Sequence, residues 1–248
     1  MVTETDGLIL RQIKLPDDRR MLVLFTRKYG KISAGTSIRL NGKNKSSLAL
    51  RAFTHGRYEL YHGREIYNIN AAETLESYFR LGEDIDKYML ASYALEFTDK
   101  VVPESQPGEK ILDNLLDFLR ILTVRKSRLK SLLIVYQWKL LCLCGYMPEL
   151  DRCARCGKDL PPAGFSVVDG GAICNDCKTS GRVNLSLLYD INFDIIKTLK
   201  FISGNDMKAF EKLALQDDIS DRLEEIVRKY VSYHLDINKL KSETFITI

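Results

Sequence analysis

Four cysteines carry the most specific chemistry in the sequence. Cys153 and Cys156 form one C-x2-C pair in "DRCARCGKDLPP", and Cys174 and Cys177 form a second in "AICNDCKTSG". Seventeen residues lie between the pairs, a spacing expected of a four-cysteine zinc site. Two thiolates from each knuckle can surround a tetrahedral ion at roughly 2.3 Å per bond. Gly157 and Gly181 follow the two pairs, where tight backbone turns are needed. The stretch "AGFSVVDGGAIC" between them reads as a hairpin turned at Asp169-Gly170-Gly171. We therefore expect a zinc ribbon or knuckle holding one structural Zn2+.

Other thiol chemistries fit less well. A thioredoxin-like C-x-x-C needs a βαβ neighbourhood, and the flanking periodicity here is helical. Catalytic zinc needs an open coordination position, whereas four thiolates close the shell. Zinc deaminases pair H-x-E or C-x-E with P-C-x-x-C, and neither pair here follows a proline. Cys142 and Cys144 end an apolar stretch and read as buried thiols rather than a second ligand pair. No phosphate loop, dinucleotide fingerprint or G-x-S-x-G elbow is present. The three histidines, His55, His62 and His234, are scattered and read as ordinary surface or packed residues. Asp17-Asp18 and Asp217-Asp218 read as solvated turns or helix caps. We expect a non-catalytic protein.

The elements that must position the cysteines change period along the chain. The first seventy residues or so read as five short strands, "DGLILRQI", "RMLVLFTR", "GKISAGTSIRL", "HGRYELYHG" and "EIYNINAAE". Met21, Val23 and Phe25 share one face of the second, and Leu22, Leu24 and Thr26 the other. Tyr29-Gly30 and His62-Gly63 turn the chain back. Five such strands suggest a small barrel of the OB-fold kind, with an SH3-like barrel as the alternative. Beyond residue 82 the period is helical. Ile111, Leu112, Leu115, Leu116, Leu119 and Leu122 form one stripe, and Leu129, Leu132, Leu133, Tyr136, Leu140 and Leu143 the next. The pattern returns after the cysteines at Ile195, Ile196, Leu199 and Ile202, then at Ile219, Leu223, Ile226, Val227 and Tyr230. The expected fold is α+β, a five-stranded OB-fold barrel followed by an α-helical domain with an inserted four-cysteine zinc module. Its expected parts are 1–80 (OB-fold barrel), 81–150 (first helical part), 151–180 (zinc module) and 181–248 (second helical part, packing back on the first).

Net charge is +4 over 248 residues, but it is unevenly divided. Residues 1–58 hold twelve Lys or Arg against four Asp or Glu, and the rest hold 25 against 29. A basic front end on a mildly acidic body suggests a polyanionic partner. Arg39, Lys43, Lys45 and Arg51 surround the polar stretch "NGKNKSS" and are the expected phosphate contacts, with Arg19 and Arg20 as a second patch. Phe53, Tyr58 and Tyr61 could offer base-stacking faces, or could be core. No apolar run is long enough to span a membrane. The start has an acidic rather than basic character and lacks a small-residue cleavage site, so a cytoplasmic protein is expected.

Taken together these pieces resemble the RecO family, bacterial recombination mediators of the RecF pathway. The resemblance begins at "TDGLILRQIKLPDDRRMLVLFTRKYGKIS" and continues through "ALRAFTHGRYELYHGR". It is strongest at "YQWKLLCLCGYMPELDRCARCG", similar to the family's apolar helix, its Leu-Gly-Tyr-x-Pro turn and its first zinc knuckle. At "LKSETF" Glu243 stands where the family usually has arginine, which puts a DNA contact there in doubt and leaves Lys239 and Lys241 as candidates. Cys144 takes the place of the turn's usual leucine.

The resemblance implies a nucleoid-associated protein of DNA repair, DNA damage and recombination that binds single- and double-stranded DNA and anneals complementary strands. It also implies association with RecR, contact with the acidic C-terminal tail of single-stranded DNA-binding protein (SSB), and indirectly the placing of RecA on SSB-coated DNA. For that tail, Arg125, Arg128, Lys130 and Lys139 beside Trp138 are the expected dock. The runner-up is a zinc-ribbon regulator that reads duplex sequence, although no helix rich in Arg, Asn or Gln follows the ribbon. A metalloenzyme is third. Sequence-independent binding with a steep salt slope would favour the mediator over the regulator, and chelation-sensitive turnover of nucleic acid would favour the enzyme.

Overall fold

The computed structural model describes residues 2–15, 20–38, 45–63, 66–159, 161–181, 183–191 and 193–245. These residues form two compact units, one of residues up to 129 together with 240–248, the other of residues 130–239. The division falls inside the stretch expected as the first helical part.

In the first unit, β1 (Val2–Lys14), β2 (Arg20–Thr26), β3 (Gly30–Thr36), β4 (Thr54–His62) and β5 (Tyr67–Ser77) close into a barrel of order β1-β2-β3-β5-β4. All neighbours are antiparallel except β3 and β5, which run parallel through Ala34–Tyr67, Gly35–Asn68 and Thr36–Ile69. This five-stranded closure, with the short helix α1 (Lys45–Ala49) between β3 and β4, is OB-fold-like. Part of the expected loop is thus helical. Ser47 and Ala49 are buried on the barrel side, whereas Leu48 is outward. Leu22, Leu24, Ile32, Tyr58, Leu60 and Ile69 fill the barrel, and the Tyr58 hydroxyl donates to the Ala49 carbonyl at 3.1 Å, fastening α1 beneath it.

The other face of β2 is buried too, since Val23 and Phe25 are closed off from solvent. That explains the unbroken apolar run "MLVLF", the signature of a strand covered on both sides. The cover comes from α2 (Ile85–Val101) and α3 (Glu109–Val124), which follow the 3-10 turn Phe79–Glu83. The Phe25 ring lies against Gly108 and Ile111 at the start of α3. Polar contacts fix the seam. Lys31 Nζ donates to the Asp99 carbonyl at 2.6 Å and sits 3.5 Å from Glu104, while Arg11 Nε pairs with Asp99 at 2.6 Å. Arg27 reaches Asp6 at 3.1 Å and Asp113 at 3.0 Å. Glu96 on α2 receives the backbone N–H groups of Lys241 and Ser242, which returns the chain's end to this unit.

The second unit is built on α4 (Leu129–Leu143), in which every residue from Ser131 to Leu141 is buried. A helix apolar on all sides belongs at a core's centre. Around it come a three-stranded sheet of order β7-β6-β8, namely β6 (Pro162–Ser166), β7 (Gly171–Cys174) and β8 (Leu188–Tyr189), then α5 (Asn175–Thr179), α6 (Phe193–Gly204) and α7 (Asp217–Leu235). Trp138 of α4, Phe165 of β6 and Tyr230 of α7 have ring centroids 6.1 to 6.4 Å apart. No helix among the described residues is long and apolar enough to cross a membrane.

Gly30 shows how closely the helical cover sits on the barrel. Its φ is +64°, and a Cβ there would lie 2.0 Å from the Gln106 carbonyl oxygen. Gly30→Ala should therefore lower stability by about 2 kcal/mol or more, because the strained backbone and the clash add. Gly82→Ala, with nothing within 4 Å of the new methyl, should stay within about 0.5 kcal/mol of wild type. Equilibrium urea unfolding of the two variants measures the contrast, and equal midpoints would refute the account of this seam.

Candidate metal centre and nucleic-acid interface

The four-cysteine cluster forms where two tight turns meet. In the first knuckle Cys153 N–H donates to the Lys158 carbonyl at 2.8 Å and Gly157 N–H to the Cys153 carbonyl at 2.8 Å. The turn needs Gly157 at φ +70°. In the second, Cys174 ends β7 and Cys177 lies on α5. All four Sγ atoms are within 4.8 Å of one another, and Cys156 and Cys174 are 3.8 Å apart. A tetrahedron with bonds of about 2.3 Å has edges of about 3.8 Å, so the donor set fits one ion of zinc's size and softness. Cys153, Cys174 and Cys177 are buried beside Ile173 and Val183. Burial alone would raise the Cys153 thiol, but backbone N–H groups of Cys174, Cys156 and Arg155 bring it down to about 6. Burial and then hydrogen bonds to the neighbouring thiols push Cys177 up to about 12, so a metal would bind by displacing the remaining protons. Four clustered cysteines could thus bind a metal ion.

Cys142 and Cys144 stand apart from this cluster. Cys142 Sγ lies 3.7 Å from the Ser203 hydroxyl, and burial pushes the Cys144 thiol up to about 12. These are protonated packing residues.

The expected phosphate contacts divide. Arg19, Arg39 and Lys43 lie outside the described residues. Arg20 is exposed at the start of β2 and donates to Gln12 Oε1 at 3.1 Å. Lys45, the first residue of α1, and Arg51, just past it, are both exposed and line one groove. Neither has a carboxylate within 4 Å among the described residues. By contrast Arg11, Arg27 and Lys31 hold the helical cover to the barrel. Of the three aromatics considered for stacking, Phe53 and Tyr58 are core, and only Tyr61 is exposed.

The structure also assembles rings that the sequence kept apart. Tyr29 and Tyr67 have centroids 5.6 Å apart, His62 and Tyr67 4.5 Å, and Lys28 Nζ lies 5.4 Å from the Tyr29 ring. Residues 29, 62 and 67 converge because β5 pairs with both β3 and β4. Nothing local in the sequence signals such a meeting.

The expected tail-docking set is corrected by burial. Trp138 is fully buried and its indole N–H donates to the Ser203 hydroxyl at 2.9 Å. Lys139 is also buried, and its ammonium caps carbonyls of Ile202 and Asn205 at the end of α6. An apolar helix at the centre of a core turns even its Lys and Trp inward. Lys130 pairs with Asp221 at 2.9 Å and Glu224 at 2.8 Å. Arg125 is half-buried, its Nε donating to the Ser127 carbonyl, and Arg128 is exposed. Glu243 accepts the Leu240 N–H at 3.2 Å, so it closes a terminal turn, and Lys239 and Lys241 beside it are exposed.

Comparison with known proteins covers the chain from end to end. Residues 1–78 match the family described as "Recombination protein O N terminal", and residues 82–244 match "Recombination protein O C terminal". Relatives named "DNA repair protein RecO" include that of Alkaliphilus metalliredigens, 28% identical over 95% of each chain. That of Caldanaerobacter subterraneus is 29% identical over 98% of this chain and 96% of its own. A third, from a Thermoanaerobacter species, is 28% identical over the same shares. With both halves matched and the barrel, helices and cysteine cluster in place, the chain belongs to the RecO family.

Proposed function

We propose that this chain acts in DNA repair and homologous recombination by binding single- and double-stranded DNA without sequence preference and annealing complementary strands. Working with RecR, it would help load RecA on SSB-coated DNA. The single observation that carries the reading is the OB-like barrel whose exposed Lys45 and Arg51 have no carboxylate partner among the described residues. Family membership supports the role in repair.

Annealing needs no bond-making group. Two strands repel through their phosphates, and a protein that neutralises charge on both lowers that repulsion while the bases stay free to pair. Cations already paired within the fold contribute little to this, because moving them to phosphate would expose their carboxylates. Lys45, Arg51 and Arg20 are therefore the described contacts, with Arg39, Lys43 and Arg19 as sequence candidates. For the acidic SSB tail, Arg125 and Arg128 stay as candidates, while Trp138 and Lys139 are buried and Lys130 pairs with Asp221 and Glu224. The ring group of Tyr29, His62 and Tyr67 lies where OB-fold barrels use the loop between strands four and five for oligonucleotides.

Zinc would close its shell on Cys153, Cys156, Cys174 and Cys177, supplying folding energy to a small sheet rather than chemistry. A mercurial that titrates thiols should release one zinc per chain, read with a metallochromic dye, and Cys156→Ser should abolish the release. A folded protein that carries no zinc and takes none up would remove the metal from this account.

Two further outcomes test the function. Lys45→Ala with Arg51→Ala should weaken binding to a single-stranded oligonucleotide roughly tenfold and flatten its salt slope by roughly 1.4, since each single-strand phosphate contact contributes about 0.7. An unchanged slope would move the DNA path elsewhere. Complementary strands coated with the cognate SSB should anneal faster with the protein present, without ATP, and the gain should vanish when the SSB tail is deleted. Absence of any acceleration by folded, metal-loaded protein would sink the mediator reading.

A further inference from the structure

The groove lined by Lys45 and Arg51 is a site in its own right, of about 590 Å³, within the first unit. Leu48 of α1 and Phe79, at the start of the 3-10 turn, line it together with Ala52, Thr54, Thr74 and Ser77. In α1 Leu48 is exposed while Ser47 and Ala49 are buried. Phe79 is 67% exposed and Leu48 38%. What sets Phe79 apart is that its open ring and Leu48 line one concavity, giving an apolar wall that a ligand can cover.

The charges around this groove select the occupant. Lys45 and Arg51 line it. Glu73, the groove's one carboxylate, lies 3.7 Å from Arg57, which offsets its charge. Apolar walls, one open aromatic ring and cations at the rim match the needs of single-stranded nucleic acid, whose phosphates seek the cations and whose bases stack on the ring. A duplex keeps its bases stacked inside and cannot present one to Phe79.

Building on the DNA-binding reading above, we propose that this groove takes an unpaired nucleobase, stacked on Phe79 and flanked by phosphates on Lys45 and Arg51. The groove thereby favours single strands over duplex, and it lies apart from the ring group of Tyr29, His62 and Tyr67. It is a base-holding site added to a charge-neutralising surface, and it would keep one strand splayed for its complement.

The test compares wild type, Phe79→Ala and Phe79→Trp by fluorescence anisotropy with oligo(dT), an abasic strand of equal length, and a duplex. Phe79→Ala should lose about tenfold in oligo(dT) affinity, as removal of one stacking ring does. Its salt slope, abasic-strand binding and duplex binding should stay at wild-type values. Phe79→Trp should retain affinity, and its emission, taken over the Trp138 background, should be quenched by oligo(dT) but not by the abasic strand. Because Phe79 is largely exposed, both variants should keep the wild-type circular dichroism spectrum. Wild-type oligo(dT) affinity in Phe79→Ala, alongside a steep wild-type salt slope, overturns the base site and leaves the DNA reading standing. Loss in Phe79→Ala of binding to an acidic peptide ending in Phe, with oligo(dT) binding intact, overturns it in favour of a peptide groove. Wild type that binds neither strand form brings down the DNA reading, and this site with it.

Discussion

The parallel pairing of β3 with β5 is the constraint on which the first unit depends. Antiparallel neighbours can be joined by a tight hairpin, but a parallel pair cannot. The chain must leave β3, cross to the far side, build β4, and only then return as β5. That crossing is residues 37–53, which contain the basic stretch and α1. Closure abolishes the sheet's edges, and its by-product is a short helix laid under the barrel with one apolar residue, Leu48, left facing out. The same pairing brings Tyr67 of β5 toward Tyr29 at the turn before β3. The groove beside α1 and the ring group thus follow from one topological requirement.

The second unit answers a different problem. Its sheet has three short strands, one of two residues, too little surface to bury a core of its own. Two devices compensate. Phe165 inserts beside Trp138 of the fully buried α4 and Tyr230 on the buried face of α7, so the hairpin leans on helices. At the other end the thiols gather within bonding reach of a common centre. Against burial, backbone N–H groups hold the Cys153 thiol down, whereas burial and the neighbouring thiols push Cys177 up to about 12, so a metal would have to displace protons as it closes the cluster.

Periodicity made most of this legible. The strands, the turns at Tyr29-Gly30 and His62-Gly63, and the stripe of α3 lie where alternation, turn chemistry and 3.6-residue spacing put them, whereas the stripe expected in α4 is one part of a helix buried on every side. The four cysteines were legible for a similar reason: C-x2-C is itself a local geometry. What stayed hidden was which faces meet. Tyr58 and Phe53 read equally as platform or core, and only the barrel's closure puts Tyr58 inside. Trp138 and Lys139 looked like a cationic, aromatic surface. A helix with apolar residues on every side has no surface to offer, however, and Lys139 is spent on the open end of α6. Phe79 gave no signal at all, since a lone aromatic after a strand is ordinary until its exposure is known.

Charge counting carried the first hint of function, and the structure changes its meaning. The +8 of the front end is a sum over cations with opposite duties. Arg11, Lys31 and Arg27 are held by Asp99, Glu104, Asp6 and Asp113, and they bind the helical cover to the barrel. Their carboxylate partners on α2, on α3 and between them belong to the acidic remainder, so part of the asymmetry between front and body is cancelled inside the first unit. On the DNA-binding reading proposed above, a polyanion would meet fewer cations than the count suggests, Lys45 and Arg51 beside α1 among them. Localised charge beside an apolar groove favours a flexible strand over a rigid duplex, because the strand can bring phosphates to the cations and turn a base inward at once. Selectivity for single strands would then come from topology, through the crossing that parallel closure demands, rather than from an excess of positive charge.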